Sequence, residues 1–411
     1  MAGFSLLACC TAMAFVAALT TADSFYLHPR RHGSQGSARA IRDDFACKHM
    51  PADNDMSLLA AEGIAASPAY NFTGLGVCKT HPPVIFQSAG GWGDQLRGLV
   101  TVFYAAVMTC RPLKVYWTRP YALDNYFEVH FERIDSLPVP SMRMTGSDDF
   151  DFFTKQENIG RLASSNVSTL LHTNAYQWFE IVRLPGFRHT TETYSLAGHT
   201  RYELFCIALR TLLPRPTLRV QGLVNDLLHR DPATPVEFGA QRQRLRQNQV
   251  MNIGVQIRTG GEGESWDDRP RHAISSVICF ASEVRRICST GTCAVFVTAD
   301  SRQAVVDFKK LVAPFVERVT DWPGPILHTD RRVSNAVMND TQKSDIWEKT
   351  FIDWTTLSQV DVLLMSFSGF GWTAAWSGAV PYVRRLGIRG NCSWSDFDQA
   401  DDLALVRRVK I

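Results

Sequence analysis

The segment that decides the fold is Asn252–Gly260, which reads Asn-Ile-Gly-Val-Gln-Ile-Arg-Thr-Gly. Apolar side chains at Ile253, Val255 and Ile257 alternate with small or polar ones, as in a strand that enters a core, and a glycine-rich run follows. We therefore expect Arg258 at the carboxyl end of a strand. Ligands of open α/β sheets bind just beyond such ends, and a guanidinium there suits a phosphate because it donates two parallel hydrogen bonds. The alternative is a salt-bridged arginine on the rim of a sheet.

The residues after this segment alternate between helix and strand patterns. The sequence predicts helices over residues 274–287 and 303–316, strands over 294–300, 326–330 and 362–365, and a helix that begins near Asp353. Upstream, a strand at 84–87 is followed by a glycine turn at 90–95, a helix at 96–109 and a strand at 113–116. Tandem units of this kind predict an α/β protein with two facing Rossmann-like domains and parallel sheets.

The chain has 411 residues, 45% of them hydrophobic and 20% charged, which is ordinary globular composition with room for two cores. Its 43 Lys and Arg nearly balance 40 Asp and Glu, and the net charge is only +3. Because no bulk positive field results, the composition argues against a general nucleic-acid binder. Any anion site must therefore be local.

The first 22 residues carry no charge and contain an apolar run that ends in small residues, which predicts a signal peptide cleaved after Ala22. A signal anchor, and with it a membrane attachment, is the alternative, although the basic cluster after the run lies on the wrong side for one. Residues 23–81 are predicted to be a stem or linker, 82–240 an N-terminal Rossmann-like domain and 241–411 a C-terminal Rossmann-like domain. Secretion or residence in the Golgi or endoplasmic reticulum lumen is expected.

Eight cysteines outside the leader favour disulfides in an oxidising compartment. Four glycosylation sequons, at Asn71, Asn166, Asn339 and Asn391, agree with a luminal glycoprotein. The acidic run at 148–151 has the form of a metal-binding D-x-D, but no strand leads into it, so we interpret it as a solvated turn. No metal site is expected.

Three blocks of sequence, in order along the chain, resemble fucosyltransferases of the two-domain glycosyltransferase B (GT-B) type. Residues 90–95 (Gly-Gly-Trp-Gly-Asp-Gln) look like the glycine loop after the first strand in several of these families. Residues 253–258 are similar to their H-x-R strand motif and, with Gln256 in place of His, are nearest to the plant cell-wall α1,2-fucosyltransferases. Residues 353–370 match the donor-binding end of the α1,6-fucosyltransferases, and protein O-fucosyltransferases belong to the same superfamily.

The resemblance implies an inverting, metal-independent transfer of L-fucose from GDP-fucose to a glycan or glycoprotein hydroxyl. GDP-fucose is then a donor substrate rather than a cofactor. The resemblance also implies that residues 82–240 are the acceptor-side domain and residues 241–411 the GDP-fucose-binding domain. Arg258 would clamp the β-phosphate and stabilise the charge that develops as the fucosyl bond breaks. Asp353 would pair with the N1–H and N2–H of guanine. The remaining donor contacts would come from Gly91, Gly93, Gln256, Asp300, Ser366, Phe367, Ser368 and Phe370.

The general base is left open by the sequence. The acid that follows the H-x-R motif in many relatives is replaced by Thr259-Gly260-Gly261, so the candidates are Asp94, Glu262, Glu264 and Asp267, of which Asp94 and Glu264 are preferred. A non-catalytic glycan-binding protein on the same scaffold is the alternative from another class. A nicotinamide oxidoreductase is more distant, because neither half has the full glycine fingerprint.

Overall fold

The computed structural model describes residues 81–88, 90–117, 122–138, 141–145, 152–194, 196–231, 236, 238, 250–260, 271–326, 339–387 and 392–396. The predicted leader, nearly all of the stem, the acidic run at 148–151, Glu262, Glu264 and Asp267 lie outside these residues. Residues 45–411 form one compact unit that contains two sheets. The predicted domain boundary at 240/241 also lies outside the described residues and stays a prediction.

The N-terminal half, described between residues 81 and 238, is built on a parallel sheet. Its strands are β1 (Val84–Ser88), β2 (Leu113–Tyr116), β3 (Glu132–Ile134), β4 (Ser141–Thr145) and β5 (Ser168–Thr173). The spatial order is β3-β2-β1-β5-β4, and every neighbouring pair is parallel. Because β1 lies between β2 and β5, the order of the strands reverses at the β1/β5 pair.

The C-terminal half, described between residues 250 and 396, repeats the pattern. Its strands are β6 (Met251–Ile257), β7 (Cys293–Ala299), β8 (Arg318–Thr320), β9 (Val362–Met365), β10 (Tyr382–Leu386) and β11 (Trp394–Asp396). They lie in the order β11-β10-β9-β6-β7-β8, parallel except for the edge pair β10/β11. The predicted α/β class with parallel sheets in two Rossmann-like halves, the GT-B arrangement, is confirmed.

Ten α-helices are described between and around these strands. They are α1 (Trp92–Met108), α2 (Gln156–Ala163), α3 (Trp178–Val182), α4 (Arg188–Thr193), α5 (Arg201–Leu212), α6 (Leu218–Leu228), α7 (Val277–Cys288), α8 (Arg302–Val312), α9 (Asp340–Ser358) and α10 (Gly369–Ser377). Helix α1 packs closely on the sheet because Gly98 has no side chain: a Cβ there would lie 2.2 Å from the carbonyl oxygen of Thr173. No described helix is long and apolar enough to cross a bilayer.

One predicted element of the C-terminal half was placed wrongly, and another falls almost entirely outside the described residues. The helix expected to begin near Asp353 begins at Asp340. Asn339 Oδ1 accepts a hydrogen bond from the Gln342 backbone N–H, and the Asn339 backbone N–H donates one to Gln342 Oε1. This reciprocal capping box fixes the start of α9 and puts Asp353 in its later turns. The strand after α8 is β8 (Arg318–Thr320); of the predicted strand at 326–330, only Ile326 lies among the described residues, and it is not in a strand.

The two halves share one hydrophobic core. Trp92 of the N-terminal half stacks on Phe127, with ring centroids 5.6 Å apart, and meets Phe351 and Trp354 of α9 edge-on at 4.8 and 5.7 Å. These four aromatic side chains are all buried. Because burial of large aromatic surfaces dominates packing energy, this cluster holds α9 against Trp92 of α1 and Phe127 of the N-terminal half.

Disulfides are present, as the cysteine count predicted. Cys279 pairs with Cys392, which fastens the segment before β11 to α7, and Cys288 pairs with Cys293 across the turn between α7 and β7. Cys206 is buried in the shared core and its thiol donates to the Trp376 carbonyl oxygen. The sequon residues Asn166 and Asn339 are exposed.

Candidate functional site

One cleft, of about 490 Å³, lies where the strand order of both sheets reverses. Segments that follow β1 and β5 of the first sheet contribute to its wall, and so do segments that follow β6, β7 and β9 of the second. In open parallel sheets the helices lie on opposite faces at such a switch point and leave a crevice at the carboxyl ends of the strands. Here two crevices face each other and form one site.

Arg258 lies in the cleft directly after β6 and is held from two sides. Its Nε is 3.2 Å from Oδ2 of Asp300, the residue that follows β7. Its backbone N–H donates to Ser366 Oγ at 2.9 Å. The Asp300 carboxylate also accepts hydrogen bonds from the Thr259 and Gly260 amides at 2.7 and 2.9 Å. One buried acid therefore sets both the turn after β6 and the orientation of the cation.

The turn after β9 begins α10. Ser368 caps this helix, with its Oγ accepting from the Phe370 amide at 3.2 Å. Phe367, Ser368 and Phe370 line the cleft, whereas Ser366 is buried behind them and positions the backbone of Arg258. The partial positive charge at the start of a helix favours anions, so the α10 terminus and Arg258 both favour a negatively charged ligand.

The glycine loop of the N-terminal half meets this terminus directly. Gly90 has φ +80°, which permits the tight turn, and Gly91 precedes the first residue of α1. A Cβ at Gly93 would lie 2.5 Å from the carbonyl carbon and oxygen of Gly369, so only glycine allows the two backbones to approach this closely. Asp94 follows, lines the cleft and forms an ion pair with Arg97.

Asp353 lies at the floor of the cleft, projecting from α9. Its Oδ2 accepts from Thr298 Oγ1 at 2.6 Å and lies 3.0 Å from Lys349 Nζ, while Oδ1 has no hydrogen-bond partner among the described residues. Burial raises the pKa of Asp353; the neighbouring Lys349 charge and the Thr298 hydrogen bond oppose that rise. Oδ1 is thus the atom that remains for a donor on a ligand.

The structure brings most of the candidate residues together. Gln256 reaches the cleft from β6 and its Oε1 has no partner within the described part of the chain. The candidates that line the cleft are Gly91, Gly93, Asp94, Gln256, Arg258, Asp300, Asp353, Phe367, Ser368 and Phe370. Ser366 supports the site from behind, and Glu264 lies outside the described residues.

Several lining residues were not found from the sequence: Arg97, Asn174, Tyr176, Arg271, Lys349 and Arg385. The contact of Lys349 with Asp353 could have been predicted, because side chains four residues apart on a helix are neighbours and these two carry opposite charges. The others follow only from the packing of distant segments. Together, the described lining residues carry five cationic side chains (Arg97, Arg258, Arg271, Lys349, Arg385) and three carboxylates (Asp94, Asp300, Asp353). This excess of positive charge suits a ligand with two or more negative charges.

The described residues contain no group of three or more His, Cys, Asp or Glu side chains arranged for a metal ion.

Comparison with solved structures found fucosyltransferases, the class that the three sequence blocks resemble. An arginine-to-lysine mutant of Arabidopsis thaliana FUT1 in complex with GDP is 14% identical, with 96% of this chain and 87% of that chain covered and a TM-score of 0.49. NodZ α-1,6-fucosyltransferase soaked with GDP-fucose is 14% identical (77% and 99% covered, TM-score 0.47). POFUT1 in complex with GDP-fucose is 9% identical (76% and 99%, TM-score 0.39).

No protein-family model matches the chain. No curated protein matches it either. The fold assignment rests on the strand order and the parallel pairing described above.

Proposed function

We propose that this protein is an inverting, metal-independent fucosyltransferase that moves L-fucose from GDP-fucose to a hydroxyl of a glycan or glycoprotein. The observation that carries the proposal is the placement of Arg258, which Asp300 holds in a cleft that the start of α10 also lines. A preorganised cation and a helix terminus stabilise negative charge that develops beside them during a reaction.

The cleft would accept GDP-fucose with the diphosphate between Arg258 and the Ser368–Phe370 turn. The guanine would lie against α9, where Asp353 Oδ1 is available to accept an N–H of the base. Since Oδ2 already accepts from Thr298 and Lys349, a single strong contact through Oδ1 fits this site better than two equal ones.

In the proposed step, the bond between the fucose anomeric carbon and the β-phosphate oxygen breaks, and its electron pair stays with GDP. The acceptor oxygen forms a bond to the same carbon from the opposite face, which inverts the configuration. The hydroxyl proton leaves to a base. Asp94 is the candidate among the described residues, since it lines the cleft and its side chain is 33% exposed; Glu264 is the second candidate, from the sequence alone.

The disulfides bear on the compartment in which the protein would work. Disulfides persist in oxidising compartments, and Cys279–Cys392 and Cys288–Cys293 therefore support the secretory pathway as the site of action. The Golgi or endoplasmic reticulum lumen, or the extracellular space, is the proposed location, with the first 22 residues as a cleaved signal or an anchor.

The test is to express the full chain through a secretory host, titrate GDP by calorimetry and measure GDP release from GDP-fucose with an array of glycan acceptors. Arg258→Ala should lower GDP release by about a hundredfold to a thousandfold, the usual effect of removing one preorganised donor. Arg188→Ala is the matched control, because that arginine is 83% exposed and pairs with Glu192 on its own helix.

Undiminished GDP binding and turnover in the Arg258→Ala protein would contradict the proposed role of that residue. Binding of glycans by the unaltered protein, without affinity for GDP or GDP-fucose, would contradict the transferase and favour the non-catalytic glycan-binding alternative.

A further inference from the structure

Arg97 is a second guanidinium in the cleft, and it belongs to the opposite half from Arg258. It lies one turn into α1, lines the cleft and has a side chain that is only 14% exposed. A cation this deeply buried loses most of its hydration, so its hydrogen bonds must be made with the protein or with a ligand.

The described part of the protein supplies few of the hydrogen bonds that the Arg97 guanidinium requires. A guanidinium carries five N–H donors, yet the polar contact of the Arg97 side chain within the described residues is the ion pair from one terminal nitrogen to Asp94 Oδ1. Its Nε is buried and has no hydrogen-bond partner in that part of the chain. Arg111, also buried, differs sharply: it donates to four backbone carbonyls and to Thr169.

Aromatic rings fix where the Arg97 guanidinium lies. Its Cζ is 5.1 Å from the ring centroid of Tyr176, which follows β5, and 5.7 Å from that of Trp372 in α10. These distances are those of cation–π contacts, which orient the planar group without using its hydrogen-bond donors. The rings therefore hold Arg97 in the cleft and leave its donors for another partner.

The position of Arg97 is next to the start of α10. A Cβ at Gly369 would lie 3.5 Å from both Cζ and Nη2 of Arg97. Gly369 follows Ser368, the cap of α10, and both Gly369 and Arg258 line the cleft. A group bound in the cleft at the start of α10 would therefore have the Arg97 guanidinium beside it.

We propose that Arg97 binds the terminal phosphate of the nucleotide, together with Arg258, so that each half of the protein contributes one guanidinium to the same diphosphate. This inference rests on the proposed function and names a further residue of its donor site. Two guanidinium groups around one diphosphate neutralise more of the charge that leaves with it than Arg258 alone.

The comparison of GDP with GMP isolates the terminal phosphate. Calorimetric titration of the full chain should show that Arg97→Gln weakens GDP binding roughly tenfold to a hundredfold, the effect of losing a charge-assisted hydrogen bond. The same variant should weaken GMP binding much less. The GDP/GMP affinity ratio should fall accordingly. Arg97→Lys keeps the charge without the planar fork and should give an intermediate ratio.

Arg183→Gln is the matched control, because Arg183 also lies over an aromatic ring, 3.6 Å from the centroid of Phe179, but is exposed and outside the cleft. Its GDP/GMP ratio should equal that of the unaltered protein. Thermal unfolding of each variant accompanies the titrations, so that a loss of folded protein is measured separately.

The proposal for Arg97 is overturned if Arg97→Gln weakens GDP and GMP binding equally, or if it leaves the affinity for GDP unchanged. Failure of the unaltered protein to bind GDP would instead contradict the proposed function itself.

Discussion

Nε of Arg258 lies 3.2 Å from Oδ2 of Asp300, so the acid at the end of β7 orients the cation at the end of β6. The same carboxylate accepts from Thr259 Oγ1 and from the amides of Thr259 and Gly260. Four donors thus converge on one side chain that is 10% exposed. The rim of the site is therefore a rigid unit, and its rigidity depends on Asp300.

Asp300→Ala should lower both stability and GDP affinity. Removing one partner of a buried ion pair leaves the others unsatisfied, which costs about 3–5 kcal/mol. Chemical denaturation measures the first effect and calorimetric GDP titration the second. Asp124→Ala is the control, because that carboxylate pairs with Arg133 at an exposed surface and should change stability by less than about 1 kcal/mol. Equal stability of the two variants would contradict the prediction.

Gly93→Ala should disturb the contact between the halves. The new methyl group would lie 2.5 Å from backbone atoms of Gly369, which cannot yield as a flexible side chain does, so we expect a loss of about 1–3 kcal/mol and weaker GDP binding. Gly160→Ala in α2 is the matched control. Nothing lies within 4 Å of its Cβ position, and alanine there should be neutral or stabilise the helix by up to about 1 kcal/mol.

GDP affinity should fall on acidification as the pH drops through the raised pKa of Asp353. Burial is the largest cause of that raised pKa, and the ionised carboxylate accepts an N–H of the base through Oδ1 more strongly than the protonated acid does. Titrations across the acidic range should show this loss in the unaltered protein at a higher pH than for an ordinary aspartate. The Asp353→Asn variant should bind GDP more weakly and should not show this loss of affinity at acidic pH. An identical pH dependence in both proteins would exclude Asp353 as its cause.

His272 should make the fold sensitive to mild acid. It is buried, and burial lowers its pKa, with Arg271 lowering it further and Asp300 opposing. The unfolded chain therefore binds this proton before the folded chain does, and stability is lost as the pH falls from about 6.5 towards the lowered pKa. Denaturation of His272→Phe at several pH values should show a smaller loss of stability on acidification. His189→Gln, at an exposed position, should behave like the unaltered protein.

The two disulfides should differ in their contribution to stability. Cys279–Cys392 closes a sequence separation of 113 residues and Cys288–Cys293 one of 5. On the chain-entropy model, the longer loop stabilises the fold by about 3 kcal/mol more than the shorter one. Denaturation of the two double serine variants, Cys279→Ser with Cys392→Ser and Cys288→Ser with Cys293→Ser, measures the difference. The reverse ranking would contradict the model.

Local patterns predicted the elements that carry most of the site. The strand ending at Ile257, the buried strand ending at Ala299 and the helix after Gly93 have strong periodicity or clear glycine breaks. The start of α9 was missed although Asn339 and Gln342 have the spacing of a capping box, so that signal was present in the sequence. The three-residue strand β8 is too short for any periodicity to show.

The sequence by itself determined the strands β1, β2, β6, β7 and β9, the glycine loop and the arginine at a strand end, because each depends on neighbours along the chain. The tertiary structure alone decided that Arg97 lies between Tyr176 and Trp372, and that Gly93 touches Gly369. These contacts join residues far apart in sequence, and they form because a shared aromatic core brings the switch points of two sheets together. No local pattern carries that information.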